Sequence, residues 1–307
     1  MQEIHEFTSS LVRQGYASLT INAYRHVIEQ FSAWLQKSTG QPAALSAMDA
    51  ETVLAYRQHL FDARKKANTI NQAMAALSAW FKWAVANGLM TENPAQGLTN
   101  VAQVAAGPKY LDRKEQAALL RAIEKDLQVA QARFPKRFLV RRRDASLTLF
   151  LLHTGLRLQE VCDLRLDDVP VSERKGSVLV RQGKGSKQRS IPLNAEARKA
   201  LLEWLTLRPQ DAPHDFVWVA IESKALSPIA PRSVQRIVLR LGQDAGLDDL
   251  TPHTLRHTFA KNLVNADVSL EKVAALLGHS NLNTTRIYIT PSTKDLVDAV
   301  ENLSERK

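Results

Sequence analysis

Gly278-His279-Ser280-Asn281-Leu282-Asn283-Thr284-Thr285-Arg286-Ile287-Tyr288 places a tyrosine nine residues after a histidine. Upstream, His253-Thr254-Leu255-Arg256-His257 sets His253 and Arg256 three apart, on one face of a helix. Further back, Thr154-Gly155-Leu156-Arg157 precedes Glu160. Two arginines, two histidines and a late tyrosine, in this order, describe a site that grips one phosphate and attacks it. A phosphodiester undergoing displacement gathers negative charge on its non-bridging oxygens. Guanidinium groups match those oxygens bidentately, and a phenol supplies an oxygen nucleophile. Arg157 opens a helix, where backbone N–H groups also favour an anion, and Glu160 is spaced to orient it.

The bulk properties suit a polyanionic partner. The 307 residues are enough for two domains with separate cores, and 45% are apolar, ordinary for a globular protein. The net charge is +10 and the pI about 9.8. Residues 1–100 are nearly balanced, so the excess of Lys and Arg lies in residues 101–307, where the Arg, His and Tyr residues sit. The charge and the phosphate chemistry together point to DNA strand cleavage through a phosphotyrosine link. One cysteine, Cys162, excludes an internal disulfide and a cysteine-rich zinc site, and fits a reducing cytosol. Met1 to Ser10 has no basic or apolar signal pattern, and Leu147 to Leu152 is too short to span a bilayer. A cytoplasmic protein with no membrane partner is expected.

Outward from the motifs, residues 1–100 read as a bundle of four or five helices. Ile21, Tyr24, Ile28, Phe31 and Leu35 recur at spacings of three and four; Val53, Tyr56 and Leu60 mark a second helix, and Ile70, Met74, Leu77 and Phe81 a third. Small residues from Val101 to Gly107 suggest a linker over 101–110, with a second domain over 111–307. Asp112 is a candidate cap for a helix carrying Leu119 and Ile123. The segment Glu124 to Arg143 is basic and poorly patterned, which suggests a DNA-contacting insertion or a disordered loop before a buried helix over 144–154. Val178 to Arg181 and Ser190 to Leu193 are strand candidates around a cationic glycine-rich tip, Gly183-Lys184-Gly185-Ser186-Lys187. Residues 195–206, 231–245, 254–266 and 270–277 read as helices, and Leu296, Val297, Val300 and Leu303 give a short amphipathic tail helix.

Each motif alone has an ordinary reading: Arg157 and Glu160 as a salt bridge, Lys184 as a solvated turn lysine, Tyr288 as a core tyrosine. His253 and His257 have metal-ligand spacing, but Thr254 stands where a metalloprotease helix needs Glu. Taken together, Thr154 to Glu160, Gly183 to Arg189, His253 to Phe259 and Leu277 to Tyr288 resemble the tyrosine recombinase family of phage integrases, Cre-like enzymes and Xer-type resolvases. Thr69-Ile70-Asn71 and Trp83 to Pro94 resemble that family's core-binding domain.

The resemblance implies a mainly α protein with a small antiparallel β-sheet: a helical core-binding bundle and an α+β catalytic domain closing on DNA as a C-shaped clamp. It implies that Arg157 and Arg256 hold the scissile phosphate and that Tyr288 attacks it, leaving a 3′-phosphotyrosine. Lys184 would protonate the leaving 5′-oxygen, His253 would assist the phenol, His279 would bond the phosphate, and Glu160 would support Arg157. No metal or other cofactor is expected. Candidate DNA contacts are Lys65, Lys66, Lys187, Arg189, Arg232, Gln235, Arg236 and Arg240. The implied partners are double-stranded DNA with inverted-repeat core sites, a homo-tetramer or a hetero-tetramer with a related recombinase exchanging strands through a Holliday junction, and an accessory directionality protein. The alternatives are a type IB topoisomerase-like nicking and closing enzyme and a non-catalytic DNA-binding protein of the same fold.

Overall fold

The computed structural model describes residues 2–40, 44–45, 48–102, 107–181, 188–279 and 281–288. The chain divides into two compact units, Met1–Ala105 and Ala106–Lys307. Among the described residues no helix is long and apolar enough to cross a membrane.

The first unit contains α1 (Gln2–Arg13), α2 (Ser18–Thr39), α3 (Ala50–Asp62) and α4 (Ala67–Ala86). The α2 periodicity is realised in burial: Ile21, Ile28, Phe31 and Leu35 all face the core. Asp49 starts α3 by accepting the Thr52 backbone N–H at 2.8 Å. Phe31 meets Tyr56 and Phe81 edge-on, with ring centroids 5.0 and 6.2 Å apart, so α2, α3 and α4 share one aromatic core. Asn71 on α4 pairs with both backbone groups of Val101, at 2.8 and 3.0 Å, which fixes that residue to the first unit. Lys65 and Lys66 are exposed at the α3–α4 turn.

The second unit contains α5 (Arg113–Arg133), α6 (Pro135–Thr154), α7 (Leu158–Cys162), β1 (Ser177–Val180), β2 (Arg189–Pro192), α8 (Ala195–Leu207), α9 (Pro231–Asp244), α10 (Pro252–Asn265), α11 (Leu270–Leu277) and α12 (Asn283–Arg286). Asp112 and Glu115 form a reciprocal capping box at the start of α5. Leu147, Phe150 and Leu151 of α6 form the centre of the core with Trp204 and Trp218, whose rings stack at 6.0 Å. The strands pair antiparallel with Val178 opposite Ile191, both fully buried, each strand one residue earlier than its sequence pattern suggests. The hairpin tip with Lys184 and Lys187, and the expected tail helix, lie outside the described residues.

The structure corrects the reading of Glu124 to Arg143. This segment is not a disordered loop: α5 runs through to Arg133 and α6 begins at Pro135. The sequence pattern was misleading because Arg141, Arg142 and Arg143 pair with acidic residues brought to them by the fold. Arg142 binds Glu203 on α8 at 2.7 Å, and Arg141 lies 3.7 Å from Asp126 on α5. Arg143, 1% exposed along its side chain, is held by Asp144 and Glu222 at 2.7 Å each. Pro135 at the first position of α6 has no N–H to satisfy, so the tight α5–α6 join leaves fewer unpaired backbone groups.

Candidate active site

Gly155 ends α6 in the left-handed region, φ 61°, and a Cβ there would lie 2.4 Å from Phe259 Cδ1. Only glycine serves at this turn. Two residues on, Arg157 caps α7, and the Glu160 carboxylate accepts both its backbone N–H and its Nη1, each at 2.8 Å. From β2, Arg189 donates Nη1 and Nη2 to the same carboxylate at 2.8 and 2.7 Å, and Nε to the Leu276 carbonyl at 3.0 Å. Glu160 is thus an anionic hub joining α7, the hairpin and the end of α11. Arg189, expected as a DNA contact, is instead an internal clamp on Glu160.

Burial pushes the Glu160 carboxyl up, but the hydrogen bonds and charge of Arg189 and Arg157 outweigh it and hold it at about 2, against an ordinary 4.5. A depressed folded-state pKa stabilises the fold fully above the ordinary value and loses that contribution as pH falls toward the folded one. The shift corresponds to about 3 kcal/mol. Glu160→Gln is therefore expected to lower the melting temperature at pH 7, with the gap to wild type narrowing as pH falls from about 4.5 toward 2. Paired thermal melts across pH check this, and a gap that stays constant would remove the charge from the explanation.

Arg256 projects from α10 and is 4% exposed. Its Nη1 donates to the Gly155 carbonyl at 2.6 Å and its Nη2 to the Leu277 carbonyl at 2.7 Å, with His279 Nε2 at 3.0 Å. Gly278, φ 66°, closes α11; a Cβ there would lie 2.7 Å from Arg189 Nη1, and its carbonyl accepts Arg157 Nη2 at 2.8 Å. The two arginines are therefore cross-tied: Arg256 is held by the Gly155 turn that leads to Arg157, and both are held by the Leu277–Gly278 turn that ends α11. Burial first, then the neighbouring Arg157, brings Arg256 down to about 10. Two guanidinium groups this close oppose one another, and an arriving phosphate relieves that repulsion.

His279 is engaged on both ring nitrogens, Nε2 by Arg256 and Nδ1 with Thr285 Oγ1 at 2.9 Å. Burial, then Arg256 and Arg157, lowers it to about 4. His253 is exposed at the first turn of α10, and it is shifted below the ordinary histidine value by partial burial and by the same two arginines. Tyr288, just past α12, is 2% exposed and packs with Ala260, Val273 and Leu277. Burial raises its phenol pKa, which Arg256 partly offsets.

Arg157, Glu160, Arg256, His279 and Tyr288 thus gather from α7, α10, α11 and α12. His257 is the contact that the sequence motifs do not reveal: its Nδ1 lies 2.7 Å from the Tyr288 hydroxyl. Spacing showed only its relation to His253, four residues away on the same helix. On α9, Arg232, Gln235 and Arg236 are exposed, whereas Arg240 turns inward to Asp126 at 3.0 Å and Asp144 at 3.1 Å. Arg240 therefore leaves the exposed set and ties α9 to α5 and α6. Cys162 is buried in α7, its thiol pushed up to about 12 by burial and then by Asp163.

A family model described as the phage integrase family matches residues 109–295, and one described as the phage integrase N-terminal SAM-like domain matches residues 4–90. The chain is 32% identical to the tyrosine recombinase XerA of Pyrococcus furiosus, across 97% of this chain and 92% of that protein. It is 34% identical to the tyrosine recombinase XerC of Pseudomonas fluorescens, across 88% of this chain and 84% of that one. Among solved structures, the XerH site-specific recombinase bound to a palindromic difH substrate, a post-cleavage complex, matches with a TM-score of 0.72 at 24% identity, covering 97% of this chain and 85% of that one. A lambda integrase dimer bound to a COC′ core site matches with a TM-score of 0.69 at 20% identity, covering 94% and 76%. The solved structures share the fold, and the sequence matches extend through both units and through the gathered residues. The chain belongs to the phage integrase family, and it is a tyrosine recombinase, an enzyme that breaks and rejoins DNA.

Proposed function

We propose that this recombinase cuts one DNA strand per active site with Tyr288 and exchanges strands between paired inverted-repeat core sites through a Holliday junction. The observation that carries the reading is the cross-tied arginine pair. Arg157 and Arg256 are held by carbonyls and Glu160 in fixed orientation, so their positive charge is in place before a phosphate arrives. Such a clamp needs little reorganisation as charge develops on the non-bridging oxygens. Tyr288 would bond to the phosphorus and leave a 3′-phosphotyrosine with a free 5′-hydroxyl, conserving the bond energy for religation without ATP. Lys184 would protonate the leaving oxygen. His253, exposed on α10, would assist proton transfer with the phenol, and His279 would turn from Arg256 and, with its hydrogen on Nε2, donate to a phosphate oxygen when DNA binds.

Both units would contact the duplex. Lys65 and Lys66 of the first unit, Lys187, and Arg232, Gln235 and Arg236 of α9 are the proposed contacts to backbone and groove. The working assembly would be a tetramer of this chain or of this chain with a related recombinase, acting in the cytoplasm on nucleoid DNA, with a directionality protein where one outcome is favoured. The XerH and lambda integrase structures, both bound to DNA sites, support this reading.

A nicked suicide substrate built on the chain's own bound DNA tests the chemistry. The expected product is a denaturation-resistant adduct at a 3′-phosphate with a free 5′-hydroxyl, and two intact sites are expected to yield four-way junctions. A 5′ linkage would overturn the chemistry. Supercoil relaxation by a monomer, without junctions or site preference, would overturn the recombination.

A further inference from the structure

His257 takes no part in the phosphate grip, yet it is the residue set against the nucleophile. Its Nδ1 is 2.7 Å from the Tyr288 hydroxyl, and the two rings tilt at 51° with centroids 5.5 Å apart. Tyr288 is 2% exposed, so its hydroxyl meets this imidazole rather than bulk water. His253, one turn earlier on α10, is exposed and stacks with His257, ring centroids 6.1 Å apart. Of the two α10 histidines, the half-buried one touches the reacting oxygen.

We infer, resting on the reading of Tyr288 as nucleophile, that His257 takes the phenol proton as the Tyr288 oxygen bonds to phosphorus. In this step the phenol O–H bond breaks and its proton passes to Nδ1, giving an imidazolium. The phenol oxygen forms the new O–P bond. The P–O5′ bond breaks with its electron pair going to the 5′-oxygen, which gains a proton from Lys184. Religation runs the same path backwards: the 5′-hydroxyl loses its proton to Lys184 and attacks, and Nδ1 returns its proton to the departing phenol.

The surroundings keep His257 in the accepting form before DNA arrives. Burial, then His253 and Arg256 on its own helix, lowers it to about 4; from the segments packed against it come Tyr288 and His279, itself lowered to about 4. At neutral pH the imidazole is therefore uncharged, and Nδ1 is free to accept once the other ring nitrogen carries the hydrogen. A bound phosphate brings negative charge beside Arg256 and Arg157. That charge offsets the repulsion which disfavours an imidazolium, so the site becomes more basic when the reaction needs it.

The test is single-turnover adduct formation on a suicide substrate whose scissile 5′-bridging oxygen is replaced by sulfur, so that departure needs no acid. Wild type, His257→Ala and His257→Asn are compared from about pH 6.5 to about pH 9. With a neutral imidazole present throughout, the wild-type rate is expected to stay nearly level. Without a proton acceptor the attack depends on pre-formed phenolate, so both variants are expected to gain about tenfold per pH unit. Asn retains a hydrogen-bond acceptor without basicity, which separates holding the hydroxyl from taking its proton, and it carries the test if the alanine variant does not fold. Profiles parallel to wild type, lowered equally at every pH, would overturn the inference. Absence of any adduct from wild type would instead overturn the nucleophile reading on which it rests.

Discussion

Arg256→Ala is expected to slow DNA cleavage by about 100- to 1000-fold, the loss that follows removal of a preorganised donor to an anionic transition state. The same substitution is expected to lower the melting temperature. Arg256 is buried and ties the end of α6 to the end of α11 through the Gly155 and Leu277 carbonyls. Its loss leaves both acceptors and His279 Nε2 without their donor, a structural cost beyond the chemistry. Arg157→Ala separates the two effects. Arg157 is 32% exposed along its side chain, and Glu160 would keep both contacts to Arg189. A rate loss of about 100-fold or more is expected there too, with a smaller change in melting. Single-turnover cleavage at saturating protein, with melts run in parallel, measures both. A rate within about tenfold of wild type for either variant would remove that arginine from the phosphate clamp.

How much of this site could be read from sequence depended on how far apart the interacting residues lie. Helix α10 was legible because His253 and Arg256 share a face within one turn, and α2 because its apolar residues repeat at helical spacing. Arg157 and Glu160 were legible for the same reason, their salt bridge spanning three residues at 2.8 Å. The contacts that complete the site cross long stretches of chain. His257 meets Tyr288 across 31 residues, and Arg189 meets Glu160 across 29. Local spacing carries no sign of either pairing, so His257 was assigned no role and Arg189 read as a DNA contact. The first half of α6 was hidden by a different cause. Arg141, Arg142 and Arg143 read as a basic loop until Asp126, Glu203 and Glu222 are brought to them by folding. A charge run reports a solvated surface only when its partners are absent, and here three other parts of the fold supply them.

Tyr288→Phe is expected to abolish covalent capture completely while leaving DNA affinity unchanged. The phenol oxygen is the only atom removed, and without it no bond to phosphorus can form. The ring remains, still packed with Ala260, Val273 and Leu277, so the α10–α11 core is retained. The one structural loss is the hydrogen bond to His257 at 2.7 Å, a cost of about 1 kcal/mol with a correspondingly small fall in melting temperature. Arg157 and Arg256 keep their carbonyl and carboxylate partners, none of which involves the phenol. The variant therefore presents an intact clamp to DNA and no nucleophile. Gel-shift titration and denaturing gels on one nicked substrate read the two properties separately. An adduct formed by the Phe variant would place the attacking oxygen on another residue. Lost affinity with a normal melt would mean that the phenol oxygen contributes to holding DNA as well as to cutting it.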